Sequence, residues 1–238
     1  MNLRLFESNK LHYGNYLYKL VIYNRLANIF RTEFQKDGGL GYARQKLDEC
    51  NLAYKQARKD NSFVYRFMIP WQFGNRMLGE PIHVEQYFDA IKIYRILKKH
   101  SDYKIRIEQN QIYLYSNDKN LLKKIINTCE GNGEFWEPPV DSIEKITQEK
   151  NVIISEKPVE YKYRITFGSK KGNPSLINWI DSNPKLAKIG TNARNQCLQK
   201  SWVKGYYFYV KNDQALFLCE MIVGDNIQRI DKFIYRYE

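Results

Sequence analysis

Apolar and polar residues alternate over several short stretches of this chain, which is the pattern of a β-strand with one buried face. The clearest of these stretches are residues 15–23, 63–69, 103–108, 111–116 and 161–167. Other stretches place apolar residues three and four positions apart, as amphipathic helices do. This spacing predicts helices over residues 25–34, 40–57 and 84–99.

One pattern of strand and helix occurs twice. Aromatic strands over residues 112–116 and 207–210 each lead to an Asn-Asp pair, Asn117-Asp118 and Asn212-Asp213. An apolar helical run, a glycine-containing loop and another apolar segment follow each pair. This order is the second half of a βαββαβ unit, so we predict an α+β protein with two tandem ferredoxin-like (βαββαβ) domains.

The predicted first strands set the expected domain boundaries. In the first domain this strand is 63–69 and ends at Pro70, and in the second it begins at Tyr161. We therefore expect an N-terminal strand-helix-helix element at 1–59 and a first ferredoxin-like domain at 60–139. A charged, proline-bracketed linker at 140–158 and a second domain at 159–238 complete the prediction.

The chain is basic and rich in aromatic residues. Its formal charge is +12, from 38 Lys+Arg against 26 Asp+Glu, and its 238 residues include 19 tyrosines. A basic excess favours a polyanionic partner, above all nucleic acid, and aromatic rings beside cations suit stacking on bases. A charge excess that serves only solubility is the plainer alternative.

The sequence has no features typical of a membrane protein or of a disulfide-stabilised secreted protein. No apolar run approaches the roughly 20 residues of a membrane span, and the first residues lack the apolar segment of a signal peptide. The four cysteines are scattered, without a metal-ligand or disulfide pattern. We therefore expect a soluble, cytoplasmic protein that does not bind membranes.

The sheet face away from the helices is the predicted binding surface. Alternation along the strands of the first domain places Arg66, Lys104, Arg106, Tyr113 and Tyr115 on that face. Three cations beside two tyrosines suit a single-stranded nucleic acid, with cations on phosphates and rings on bases. Alternatively, this face is simply solvated, or the N-terminal helices bury it.

In the second domain the same reasoning selects Lys162 and Arg164. Residues 204–208, Lys-Gly-Tyr-Tyr-Phe, resemble the start of the RNP1 motif of the RNA-recognition-motif family, although Tyr207 stands where Gly or Ala is usual. The resemblance implies that Tyr206 and Phe208 stack on bases.

Two considerations disagree about the register of this strand. Aligning the two Asn-Asp pairs gives Phe208 the position of Tyr113, in agreement with the RNP1 resemblance. Hydropathy alone would instead bury Phe208 and expose Tyr207 and Tyr209. We adopt the first register as the prediction.

Catalytic patterns are sparse. His12, His83 and His100 lie far apart without metal-ligand spacing, and Asp141 with Glu160 only loosely matches a metal-dependent nuclease motif. Paired βαββαβ domains of this length are similar to the CRISPR-repeat-processing endoribonucleases. That resemblance implies a metal-independent nuclease with a general base, but the glycine-rich loop of that family is not evident here.

We therefore predict a non-enzymatic protein that binds single-stranded RNA or DNA through two sheet faces, with no cofactor and no metal. The two linked faces would strengthen binding if both engage one strand. One alternative is a structural or interaction subunit of a larger assembly, such as a viral one, with protein partners. The other is the endoribonuclease.

Overall fold

The computed structural model describes residues 1–32, 40–60, 66–73, 76–149 and 151–237, and it describes their side chains outside residues 66–80. The chain forms two units: Met1–Ser8 with Asn15–Glu137, and Asn9–Gly14 with Pro138–Glu238. Each unit is an α+β structure with a five-stranded mixed sheet that packs helices against one face. The predicted fold class, two ferredoxin-like domains, is confirmed.

The first unit contains seven strands and three α-helices among its described residues. In chain order they are β1 (Asn2–Glu7), β2 (Tyr18–Tyr23), α1 (Gly41–Lys59), β3 (Arg66–Phe73), β4 (Arg76–His83), α2 (Val84–Leu97), β5 (Lys104–Glu108), β6 (Gln111–Ser116), α3 (Lys119–Thr128) and β7 (Asn132–Glu137). The sheet order is β1-β7-β2-β6-β5, and β3 pairs with β4 in a separate hairpin. Strands β2, β5, β6 and β7 thus have the order of a ferredoxin-like sheet, and β1 adds a parallel strand beside β7.

The core of the first unit lies between the sheet and the helices. Leu20 and Ile22 of the central strand β2 and Leu114 of β6 are fully buried there. Asp89 of α2 is also buried, and its carboxylate accepts hydrogen bonds from the backbone N–H groups of Glu130 and Gly131, the latter at 2.8 Å. This bond ties α2 to the loop before β7, because a buried carboxylate must have hydrogen-bond donors.

The first strand of this domain differs from the sequence prediction. The central position belongs to β2, whereas the segment predicted for it includes Phe63 and Tyr65, which lie outside the described residues. The described part of that segment, β3, continues through Pro70 and pairs with β4. Both segments alternate, but β2 has partners on both sides and buries its apolar face. Within the region expected as a separate N-terminal element, residues 1–8 and those from Asn15 onward belong to the first unit, and Asn9–Gly14 belongs to the second.

The second unit repeats this topology. Its elements are α4 (Ile143–Gln148), β8 (Val152–Ser155), β9 (Tyr163–Phe167), α5 (Pro174–Ser182), β10 (Ala187–Ile189), α6 (Thr191–Leu198), β11 (Tyr207–Val210), α7 (Asp213–Val223) and β12 (Ile227–Tyr235). The sheet order is β10-β11-β9-β12-β8, with β8 parallel to β12. Each ferredoxin-like sheet is thus extended by a strand that precedes it in the chain. The stretch expected as a linker, 140–158, contains α4 and the sheet strand β8.

Among the described residues, no helix combines the length and the apolar character that a membrane crossing requires.

Candidate functional site

The candidate site is the face of each sheet opposite the helices, called here the non-helical face. In the first unit, alternation from the buried core residues assigns it a mixed set of cationic, aromatic and acidic side chains. These are Arg4, Phe6, Lys19, Tyr23, Lys104, Arg106, Glu108, Tyr113, Tyr115, Glu134 and Trp136. A row of these residues crosses the sheet from one strand to the next.

In the first sheet this row joins Lys104, Tyr115, Lys19 and Trp136. Each residue is the register partner of the next on the neighbouring strand. The Lys19 ammonium lies 3.7 Å from the centre of the Trp136 ring, which is a cation–π contact. Burial lowers the pKa of Lys19, although the nearby Glu134 carboxylate opposes this shift. Trp136 also stacks on Phe6, with ring centres 4.5 Å apart.

The second sheet has a matching row. Lys188 of β10 lies opposite Tyr209 of β11, Tyr209 opposite Arg164 of β9, and Arg164 opposite Asp231 of β12. Arg164 donates to the Asp231 carboxylate, with Nη2 and Oδ2 2.8 Å apart. Burial, Arg164 and Arg229 lower the pKa of Lys10, so a further cation lies near this row.

The helix N-caps show that the two rows are equivalent. The side chains of Asp118 and Asn212 accept hydrogen bonds from the first-turn N–H groups of α3 and α7. Counting back three residues from each cap reaches Tyr115 and Tyr209, the tyrosines of the two rows. Each tyrosine has a lysine on the edge strand to one side and a cation on the central strand to the other. We call this arrangement the Lys–Tyr–cation row.

In each sheet a second tyrosine stands two residues before the tyrosine of the row. Counting back five residues from each cap reaches Tyr113 and Tyr207, which lie beside the rows on the same faces. Tyr207 is 46% exposed and Tyr113 is half-buried. The Arg164 guanidinium carbon lies 5.6 Å from the centre of the Tyr207 ring. In each sheet a partly exposed tyrosine therefore accompanies the row.

The register predicted for β11 is wrong. Phe208 is fully buried, with its ring centre 5.1 Å from that of Phe167 in the core. Tyr206 is exposed and precedes the strand. The two Asn-Asp pairs are not equivalent, because the cap is the second residue of the first pair and the first residue of the second pair. Aligning them shifted the strand by one residue, which reverses its two faces.

The predicted residues of the first sheet lie on the expected face, but they differ in exposure. Lys104 and Arg106 are exposed, whereas Tyr115 is only 6% exposed. The ring centres of Tyr16 and Tyr115 lie 6.4 Å apart. Tyr115 therefore offers little surface to a ligand, and Tyr113 is the more accessible ring.

Two other predicted residues lie elsewhere. Arg66 is on β3, so it belongs to the hairpin and not to the five-stranded sheet, and its side chain lies outside the described residues. Lys162 precedes β9, and its ammonium donates to Asp213 Oδ2 at 2.7 Å, at the start of α7. The ammonium of Lys162 is thus already paired with a carboxylate.

Sequence reasoning missed several members of the site. Lys19 was overlooked because β2 was assigned to a separate element, and Lys188 because the sequence does not show that its strand pairs with β11. Tyr207 and Tyr209 were the residues that hydropathy alone would expose. The matching caps could have identified them, since an N-cap fixes the end of the strand before it.

The candidate catalytic residues are not brought together within the first unit. His83 precedes the 14-residue helix α2 and His100 follows it, so about 20 Å of helix separates them. Asp141 of the second unit is paired with Arg236. Within the part of the chain that the structure describes, no group of three or more His, Cys, Asp or Glu side chains could hold a metal ion.

Comparison of the chain with protein-family models, with curated proteins and with solved structures finds no match.

Proposed function

We propose that this protein binds single-stranded RNA or DNA across the non-helical faces of its two sheets. The observation that carries the proposal is the duplicated Lys–Tyr–cation row with its neighbouring tyrosine. The two sheets share a topology, but local folding rules do not demand that these residue types recur at equivalent positions of both. Exposed cations on these faces suit phosphates, and the more accessible tyrosine rings beside the rows suit bases.

Exposure divides the roles within each face. Tyr113 and Tyr207 are the stacking residues in this proposal, since each is more accessible than its row neighbour Tyr115 or Tyr209. Lys104 and Lys188 are exposed and would contact phosphates, whereas the exposed guanidinium of Arg106 is paired with the Glu108 carboxylate. Lys19 and Arg164 lie deeper, so we assign them to holding the aromatic residues in place.

Carboxylates on these faces weaken the positive field but do not cancel it. Glu134 accepts a hydrogen bond from the Tyr23 hydroxyl and lies 3.8 Å from Arg4. Asp231 is shared by Arg164 and Arg229. Cations still outnumber carboxylates on both faces, in keeping with the +12 charge of the whole chain. Association would therefore depend strongly on salt.

The test is fluorescence anisotropy with labelled single-stranded RNA, single-stranded DNA and duplex over a range of salt concentrations. Tyr113→Leu and Tyr207→Leu should each weaken single-strand binding by about 1–3 kcal/mol, whereas Tyr→Phe at the same positions should retain most of it. Phe88→Leu, which removes a partly exposed ring on α2, is the matched control. Lys104→Gln and Lys188→Gln should each lower the salt slope by about one.

Binding that ignores strand type and both Tyr→Leu substitutions, and that vanishes at physiological salt, would refute the proposal. The alternative of a subunit in a larger assembly would then gain support. One observation already favours it: α7 exposes the apolar side chains of Phe217 (62%) and Met221 (69%). Such exposed apolar residues on one helix are typical of protein contacts.

A further inference from the structure

A cavity of about 890 Å³ lies in the first unit, beside the edge of the sheet formed by β5. Among the described residues, its walls come from the start of α1, the end of α2 with the loop that follows, the start of β5, and Tyr16, Phe30 and Thr32. The volume falls within the roughly 300–1,000 Å³ typical of small-molecule sites. The cavity does not belong to the non-helical face, although Lys104 borders both.

The cavity wall is positively charged. Arg44 of α1, Lys98 at the end of α2 and Lys104 of β5 line it, and the lining residues that the structure describes include no Asp or Glu. The macrodipole of α2 accounts for a lysine at its C-terminal end. It does not account for cations from two other elements at the same cavity. Three cations from three elements favour an anion with several oxygen acceptors, such as a phosphate.

The rest of the wall is aromatic and apolar. The rings of Tyr16, Tyr94 and Tyr103 line the cavity together with Leu97 and Ile105. Tyrosine presents an apolar ring and a hydroxyl that can donate or accept a hydrogen bond. A planar heterocycle with polar edges fits this combination better than an aliphatic chain does.

The loop that carries part of this wall is held by hydrogen bonds. The Ser116 hydroxyl donates to the backbone carbonyl of Asp102 at 2.8 Å, and the Tyr103 N–H donates to the carbonyl of Ser101 at 3.1 Å. Tyr103 and Lys104 are thus positioned by the backbone before any ligand arrives. A preformed site of this kind binds with a smaller entropic cost.

We propose that this cavity binds a phosphorylated nucleoside. The phosphate would contact Arg44 and Lys98, and the base would lie against the tyrosine rings. A free mononucleotide and the phosphorylated end of a strand offer the same chemistry. The proposal does not require the sheet faces to bind a strand, so either can fail without the other.

Isothermal titration calorimetry with the full chain tests the ligand class. Adenosine monophosphate is the probe, and adenosine and ribose 5-phosphate are the two comparison ligands that lack either the phosphate or the base. We expect the nucleotide to bind at least about tenfold more tightly than either comparison ligand. Equal binding of ribose 5-phosphate would overturn the role of the base, and equal binding of adenosine that of the phosphate. No binding of adenosine, guanosine, cytidine or uridine monophosphate up to about 1 mM would overturn the proposal.

Substitutions locate the ligand in the cavity. Arg44→Gln and Lys98→Gln should each weaken nucleotide binding by about tenfold, because each removes a charge-assisted hydrogen bond. Lys99→Gln, an exposed neighbour that does not line the cavity, should leave binding unchanged. Equal affinities for all three variants and the wild type would place the ligand elsewhere and refute the site. Arg44, Lys98 and Lys99 are all exposed to solvent, so folding should be preserved.

Competition distinguishes the two sources of the ligand. A short oligonucleotide with a 5′-phosphate should displace adenosine monophosphate better than the same strand without it if the cavity receives a strand end. If the two oligonucleotides compete equally poorly, the ligand is the free nucleotide.

Discussion

Asp231 accepts two hydrogen bonds from the guanidinium of Arg164, at 2.8 Å from Nη2 and 3.1 Å from Nε. The two residues are register partners on neighbouring strands, and their side chains are 4% and 18% exposed. Arg229 reaches the same carboxylate, with Nε 3.0 Å from Oδ1. One buried acid thus compensates two arginines at the middle of the second sheet.

Replacing this acid should be costly. Asp231→Asn removes the charge and leaves two arginines close together, so we expect the free energy of unfolding to fall by about 3 kcal/mol. Urea denaturation followed by circular dichroism measures it. Asp225→Asn is the matched control, because Asp225 pairs with Lys170 on the surface, where both side chains are more than half exposed. That change should cost less than about 1 kcal/mol, and equal costs for the two variants would contradict the expected role of Asp231.

The equivalence of the two helix caps can be tested directly. Asp118→Ala and Asn212→Ala each remove the side-chain acceptor for a helix N-terminus, and each should lower stability by about 1 kcal/mol. Exchanging the cap types, Asp118→Asn and Asn212→Asp, should change stability by only a few tenths of a kcal/mol. Thermal unfolding of the four variants gives the comparison. If Asn212→Ala costs nothing, the alignment that equates Tyr115 with Tyr209 loses its basis.

The four cysteines should be unreactive in the folded protein. All are buried, and burial raises the pKa of Cys50 to about 11 and that of Cys129 and Cys219 to about 12. Burial also raises the pKa of Cys197. At neutral pH the reactive thiolate is scarce and shielded. Iodoacetamide should modify none of them in the native state and all four in guanidinium, as measured by mass spectrometry.

The same shifts predict how stability depends on pH. A thiol whose pKa is higher in the folded state than in the unfolded chain contributes stability below its unfolded pKa, near 9. That contribution is lost as pH rises from there toward about 12 for Cys219. The urea midpoint should therefore be lower at about pH 10 than at pH 7, and the difference should shrink in Cys219→Ala. An unchanged difference would show that other groups control the alkaline loss.

Local pattern was sufficient for much of the fold. The hairpin of β5 and β6 lies where the alternation over residues 103–108 and 111–116 predicts strands, and α3 forms in the apolar run that follows Asn117-Asp118. Helix α7 likewise ends at a glycine, Gly224, which has a positive φ of 59°. These features depend on neighbours within a few residues, so the sequence carries them directly.

The pairing of strands that lie far apart in the chain could not be predicted from local sequence patterns. Strand β1 leaves Leu5 69% exposed and shows no clear alternation, because it borders the sheet on one side only. Its partner β7 lies far along the chain, and periodicity contains no information about such a partner. The row members Lys19 and Lys188 were missed for the same reason, since their roles depend on which strands become neighbours.

The parallel strand that extends each sheet affects the order in which the protein can fold during translation. Asn2 pairs with Asn132, so β1 leaves the ribosome about 130 residues before its partner exists. In the second unit Val152 pairs with Lys232, so fewer residues are synthesised between β8 and its partner strand β12. The remaining strands of the first sheet can pair without β1, but its border can close only after β7 has been synthesised. The nascent first unit therefore passes through a stage in which an early, unpaired strand is available to chaperones or to incorrect partners.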